Sequence, residues 1–138
     1  MRGFEVFDHT ADVGIVARAP TLPELFEVAA EGMFSFMIDP AMIENRAWHE
    51  RKVDAGDREG LLVAWLNEIL FLCEAGQLVP ATFEILELTE RTLVAVIGGE
   101  PFDPARHVVE RTAKAVTYHQ LTVEKRKGGW YARVYIDL

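Results

Sequence analysis

Four residues able to bind or activate a ligand lie close together near the start of the chain, in EVFDHTADVGIVARA. They are Asp8, His9, Thr10 and Asp12. The two aspartates and the threonine have the alternate spacing of oxygen ligands that opens an EF-hand calcium loop. The rest of the segment does not match an EF-hand loop, because Val13 replaces the required glycine at the sixth position and Ala19 replaces the required glutamate at the twelfth. Two interpretations remain: the acids cap a turn, or they hold a cation with oxygens from elsewhere in the fold.

The best additional oxygens are at the other end of the sequence, in WYARVYIDL. Alternate residues of this segment are apolar through Leu138, whereas Asp137 lies on the opposite, polar face. Chain ends usually fray, so a strand pattern that continues to the last residue predicts that this end is held in a sheet. Asp137 and the carboxylate of Leu138 would then be two acids one residue apart.

Bulk composition restricts the classes of function. The 138 residues, half of them hydrophobic, predict one domain over residues 1–138 with an ordinary core. The single cysteine, Cys73, cannot form an internal disulfide, which favours a cytoplasmic protein. The apolar runs are too short for a membrane span. The formal charge of −8 argues against strong independent binding to nucleic acid and favours a cation or a basic partner.

Hydrophobic periodicity predicts the elements that position these residues. Two strands flank the opening motif, and a helix begins after Thr21, whose spacing to Glu24 is that of a capping box. Residues 44–54 are expected to form an edge strand. A second helix follows from about Asp57 to Gly76, with that glycine as the residue just after the helix.

The last third of the chain adds more strands and one short helix. Asp103 can cap this third helix, with Pro104 in its first turn. His107 on the same helix is expected to face solvent or the sheet. Gly128-Gly129 predicts the turn of a final hairpin. The predicted fold class is α+β: a two-layer sandwich of a mostly antiparallel sheet with two main helices and a short third helix.

Three blocks of sequence resemble the archease family, and they occur in the family's order. They are FDHTADVGI, DPARHVVERTAKAVTYHQL and WYARVYIDL. The resemblance covers essentially the whole chain. It implies the archease fold and the role of an accessory protein in tRNA splicing and RNA repair.

The resemblance also implies a partner, a cofactor and a set of site residues. Archeases activate the RtcB-type RNA ligase by promoting its guanylylation and its multiple turnover, and they bind a divalent metal, seen as calcium. By resemblance, the metal ligands here are Asp12, Asp137 and Leu138. Candidate contacts with the ligase or its nucleotide are Lys114, Asp8 and His9.

Two other classes of function stay open at this point. The resemblance also permits a chaperone or specificity modulator of a tRNA-modifying enzyme such as a tRNA cytosine methyltransferase. A metal-dependent hydrolase using Asp12 and Asp137 would need a general base, and the sequence pairs none with them. The leading hypothesis is therefore a non-catalytic activator.

Overall fold

The computed structural model describes residues 1–9 and 11–138, with the backbone alone at His9. The elements, in chain order, are β1 (Gly3–His9), β2 (Asp12–Ala19), α1 (Leu22–Ser35), a 3₁₀ turn (Pro40–Met42), β3 (Ala47–Asp54), α2 (Arg58–Gly76), β4 (Leu78–Leu88), β5 (Thr92–Pro101), β6 (Ala115–Arg126) and β7 (Gly129–Asp137). Within the described residues, neither helix is long and apolar enough to cross a membrane.

The strands form two antiparallel sheets, of order β1-β2-β7-β6 and β3-β5-β4. This confirms the α+β class and the edge position of β3, but two sheets replace the single sheet expected. The helices explain why. Residues 60–63 of α2 are buried on four successive positions, so apolar side chains cover its first turns on every side. A single sheet can cover only one side of a helix. A helix that is buried on all sides therefore needs a second sheet.

The helices begin where the sequence predicts. The N–H of Glu24 donates to Oγ1 of Thr21 at 3.3 Å, and the N–H of Gly60 donates to Oδ1 of Asp57 at 2.7 Å. The end of α2 differs by one residue, because Gly76 is still helical and Gln77 takes the left-handed conformation with φ of 50°.

The predicted third helix is wrong: residues 104–106 form a single turn. The N–H groups of Arg106 and His107 donate to the carbonyl of Asp103, as a helix start requires. The chain then extends through Val108 and Val109, whose branched side chains disfavour helix. The side chains of Arg106 and His107 contact Glu100 of β5, and this tertiary contact overrides the local tendency.

Candidate functional site

Four strands bring the opening motif and the chain end together at one end of the first sheet. In the strand register, His9 pairs with Asp12, Asp12 with Asp137, and Asp137 with Ala115 of β6. The two aspartates are therefore direct cross-strand partners although they are more than 100 residues apart in sequence. Side chains at such paired positions lie on the same face, with Cβ atoms about 5 Å apart.

Asp12 and Asp137 lie on the face of the sheet that points away from the helices. Their neighbours Val13 and Ile136 alternate to the other face and are fully buried in the core. Asp12 is partly buried and Asp137 is exposed. Two carboxylates opposite each other on one face repel. A bound cation would relieve that repulsion.

The donor set at this end fits a hard cation such as calcium or magnesium. Among the described residues, no three His, Cys, Asp or Glu side chains group closely enough to hold a metal. Further ligands would then be main-chain or terminal carboxylate oxygens, and Leu138 directly follows Asp137. A purely oxygen donor set suits hard cations, whereas zinc usually takes histidine or cysteine.

Lys114 is anchored to the same end. Its N–H donates to the carbonyl of Asp137 at 2.8 Å, just before β6 begins, and the residue is exposed. The backbone bond fixes the point from which its flexible ammonium reaches out. The structure therefore brings the backbone of Lys114 next to Asp137, while Lys114 itself lines a groove walled by the helix ends on the other side of the sheet.

Asp8 is not brought to the carboxylate pair. It pairs with Val13 and so lies on the opposite face of the sheet from Asp12. Its carboxylate, 88% exposed, is 3.4 Å from Arg111, whose guanidinium lies over the ring of Phe36 at 5.7 Å. Of the other motif residues, His9 is paired with Asp12 through its backbone. The side chain of His9 and the whole of Thr10 lie outside the described residues.

An aromatic scaffold behind the two aspartates was not foreseen from the sequence. Gly14 and Tyr135 are the next cross-strand pair on the same face, two residues from Asp12 and Asp137 along their strands. The ring of Phe7 lies so close to Gly14 that a Cβ at this position would clash with it. Tyr135 packs edge-on against Phe7 at 5.8 Å, and its hydroxyl donates to Oε1 of Gln120 at 3.1 Å. Gln120 lies in a bulge of β6 with φ of 49°. The feature of the sequence that could have indicated this close packing is Gly14, a glycine inside a predicted strand.

A buried ion-pair cluster is the other feature that the sequence did not reveal. Glu100 is only 2% exposed, and its carboxylate accepts from Arg106 at 2.6 and 3.2 Å and from the N–H of Glu44 at 2.5 Å. His107, expected to face solvent or the sheet, is buried with Nε2 at 3.3 Å from Glu100. Its Nδ1 accepts from the N–H of Asp103, which leaves the ring proton on Nε2, facing Glu100.

The Arg106 guanidinium and the Glu44 N–H together lower the pKa of Glu100 from 4.5 to about 2. A carboxylate whose pKa is lowered by folding stabilises the protein at any pH above its pKa in the unfolded chain. That stability is lost as the pH falls through its pKa in the folded protein. We therefore expect Glu100→Gln to lower the melting temperature clearly at pH 7. The difference from wild type should shrink between pH 4.5 and about 2.

Thermal melts across that pH range, followed by circular dichroism, measure the effect of Glu100→Gln. Glu90→Gln, in an exposed turn, is the matched control and should change little at any pH. An equal loss of melting temperature for Glu100→Gln at pH 2 and pH 7 would show that its charge does not stabilise the fold.

Comparison with known proteins shows what the whole chain is similar to. The family described as Archease protein family (MTH1598/TM1083) matches residues 4–138. Protein archease of Methanosarcina mazei is 38% identical, over 98% of this chain and 95% of its own length. The Sulfolobus acidocaldarius and Thermococcus gammatolerans archeases are 34% and 37% identical, each over the full length of both chains. The solution structure of Methanobacterium thermoautotrophicum protein 1598 matches over both full chains with a TM-score of 0.82 and 33% identity.

Proposed function

The chain belongs to the archease family, and on that premise we propose that it activates an RtcB-type RNA ligase in tRNA splicing or RNA repair. It would promote guanylylation of the ligase and its multiple turnover. The observation that carries the proposal is the cross-strand pairing of Asp12 and Asp137 at the end of the first sheet.

In this proposal Asp12, Asp137 and the carboxylate of Leu138 hold a divalent cation, most simply calcium. When bound, the cation supplies positive charge and open coordination positions for phosphate oxygens. The residues of this chain hold the cation at a fixed place. The β2–β7 hydrogen bonds set the spacing of the two aspartates, and the Phe7–Tyr135 packing supports the sheet behind them.

Lys114 is the residue we propose to contact the nucleotide or an acidic group of the ligase. Its N–H is bonded to the carbonyl of Asp137, so its backbone is next to one aspartate of the pair, which supports this proposal. Its long, flexible side chain would carry a positive charge to a phosphate or carboxylate of the bound ligase. Asp8 and His9 of the edge strand β1 are proposed as further contacts, and Asp8 is exposed beside Arg111.

The protein itself is proposed to be non-catalytic and a weak binder of RNA. The net charge of −8 opposes RNA, and RNA affinity depends strongly on neutralising phosphates with basic side chains. The exposed basic cluster at residues 125–127 is at a hairpin tip, and its central member, Arg126, is ion-paired with Glu124. We expect any binding to RNA to vanish at physiological salt.

The test is a guanylylation assay with purified RtcB-type ligase and labelled GTP. We expect this protein to raise the rate of ligase guanylylation and the number of ligations per ligase, and to consume no GTP alone. A gel shift with RNA at physiological salt is run beside it. If guanylylation is unchanged, the activator proposal fails, and the chaperone of a tRNA-modifying enzyme becomes the leading candidate.

A further inference from the structure

The outer face of the first sheet, which points away from the helices, is covered by its own side chains. Val16, Tyr131 and Tyr135 lie on this face, yet they are only 8%, 7% and 4% exposed. The helices pack on the opposite face, where Ile15 and Val134 belong to the core. Aromatic and arginine side chains of the outer face itself therefore shield these residues from water.

Two arginines of this layer cover one tyrosine. The guanidinium of Arg18 lies 5.3 Å from the ring centre of Tyr131, and that of Arg126 lies 3.5 Å from it. Each arginine also has an acid close by. Nη1 of Arg18 is 3.7 Å from Oε1 of Glu5, and Nε of Arg126 donates to Oε1 of Glu124 at 2.6 Å. The charges of these two arginines are therefore partly compensated within the chain.

Arg133, on the same face, is in a different state. Its side chain is partly buried, and its Nε is buried with no hydrogen-bond partner in the part of the chain that the structure describes. The acids of this face, Glu5 and Glu124, pair with the other two arginines. A buried N–H of a charged group is costly to leave unpaired. A bound anion would supply the missing acceptor.

We propose that Arg133 is a binding site for a phosphate group. A planar guanidinium presents parallel N–H donors that match two oxygens of one phosphate. Arg18 pairs with Tyr131, two residues before Arg133, so the two arginines are diagonal neighbours on adjacent strands. Such neighbours have Cβ atoms about 7 Å apart, close enough for long side chains to share one ligand.

The proposed phosphate site lies on the same face as the aspartates of the carboxylate pair. Arg133 precedes Asp137 by four residues in β7, which is about 13 Å along an extended strand. Tyr135 lies between them, and its hydroxyl donates to Oε1 of the exposed Gln120, which leaves the amide N–H groups of Gln120 as further donors. A phosphodiester strand is long enough to contact a cation at Asp137 and the guanidinium of Arg133 together.

The source of the phosphate rests on the proposed function, because the ligase named there acts on RNA ends and on GTP. Both carry phosphates, and both are therefore probes for this site. One subsite on a chain of charge −8 binds weakly. The measurement therefore belongs at low salt, where exposed charges are screened least.

The test is a titration of this protein alone, followed by NMR at the side-chain Nε–H of Arg133. The probes are a short RNA with a 3′-phosphate, GTP, and a short polyglutamate as a carboxylate control. We expect RNA or GTP to shift this resonance, and Arg133→Gln to weaken the binding by roughly 10- to 100-fold. Arg133→Lys keeps the charge but loses the planar fork, so it should lose most of the affinity as well.

The matched control is Arg91→Gln, which removes the same charge from an exposed turn between β4 and β5. It should bind both phosphate probes nearly as wild type does, and thermal melts check that all variants fold. Equal losses for Arg133→Gln and Arg91→Gln would show general electrostatics and overturn the site. Polyglutamate that binds as tightly as RNA and GTP, through Arg133, would overturn phosphate in favour of an acidic protein segment.

The RNA and GTP titrations also identify the source, since the probe that binds more tightly through Arg133 is the one the site takes. If neither probe shifts the Arg133 resonance, the inference is wrong. The ligase is absent from the titration, so this result is independent of ligase activation. A protein that binds phosphate through Arg133 but does not activate the ligase would contradict the proposed function alone. One that activates without such binding would contradict only this inference.

Discussion

Asp12→Asn and Asp137→Asn are each expected to abolish most of the ligase activation while the protein stays folded. The two carboxylates are direct cross-strand partners on one face, so both would contribute to one cation site. Asparagine keeps the size of the side chain but removes the charge that a hard cation needs. The replacement also removes the repulsion between the two carboxylates, which is why we expect no large loss of stability without metal.

Calcium-dependent thermal melts separate a ligand from a turn residue. At a calcium concentration one hundred times Kd, a folded protein with one site gains about 2.7 kcal/mol. A variant whose affinity falls a hundredfold gains only about 0.4 kcal/mol under the same conditions. Each variant should therefore keep its melting temperature without calcium and lose most of the shift that calcium gives the wild type.

The control is Asp54→Asn, an exposed strand-end aspartate in the other sheet. It tests whether calcium acts through general screening of acidic residues, and it should retain both the calcium shift and the activation. If Asp12 were only a turn residue, its replacement would cost about 1 kcal/mol of stability with activation preserved. An Asp12→Asn protein that is less stable but fully activating would contradict the metal proposal.

Local features of this fold were predictable because short-range physics determines them. Thr21 caps its helix as its spacing to Glu24 indicated, since a cap satisfies N–H groups two or three residues away. The second helix begins directly after Asp57, near where it was expected. The alternation in β7 placed Ile136 in the core and Asp137 on the other face, as the structure confirms. The family resemblance is confirmed as well.

Contacts between distant segments were not predictable from one sequence. Periodicity identifies β2 and β7 as strands but not as neighbours, so the pairing of Asp12 with Asp137 rested on resemblance until the register was seen. The division into two sheets was missed for the same reason. It depends on which strands cover the several sides of helix α2, and those contacts join distant segments of the chain.

The third helix failed for a related physical reason. Asp103-Pro104 is a sound helix start, and the first turn does form. Beyond it, the chain leaves the helical conformation, and the side chains of Arg106 and His107 contact the buried Glu100. The sequence left His107 facing either solvent or the sheet, because its partner, Glu100, lies in a different predicted element.

Adding a single glycine after Leu138 is expected to reduce calcium binding and ligase activation about as strongly as Asp137→Asn. Leu138 follows the paired Asp137 directly and is itself partly buried, so its position is constrained by the sheet. One added residue moves the terminal carboxylate by up to about 3.8 Å and leaves a neutral amide in its place. If that carboxylate is a ligand, a charge needed for the cation is lost with no change in any side chain.

Two matched proteins separate the possible causes of that loss. Amidation of Leu138 removes the charge without adding length, and it should lower the calcium shift and the activation as the extension does. One glycine added before the exposed Met1 adds length far from the pair and should change neither. An extended protein that keeps its calcium shift and full activation would show that the Leu138 carboxylate is not a ligand. Asp12 and Asp137 would then have to complete the site with main-chain oxygens or water.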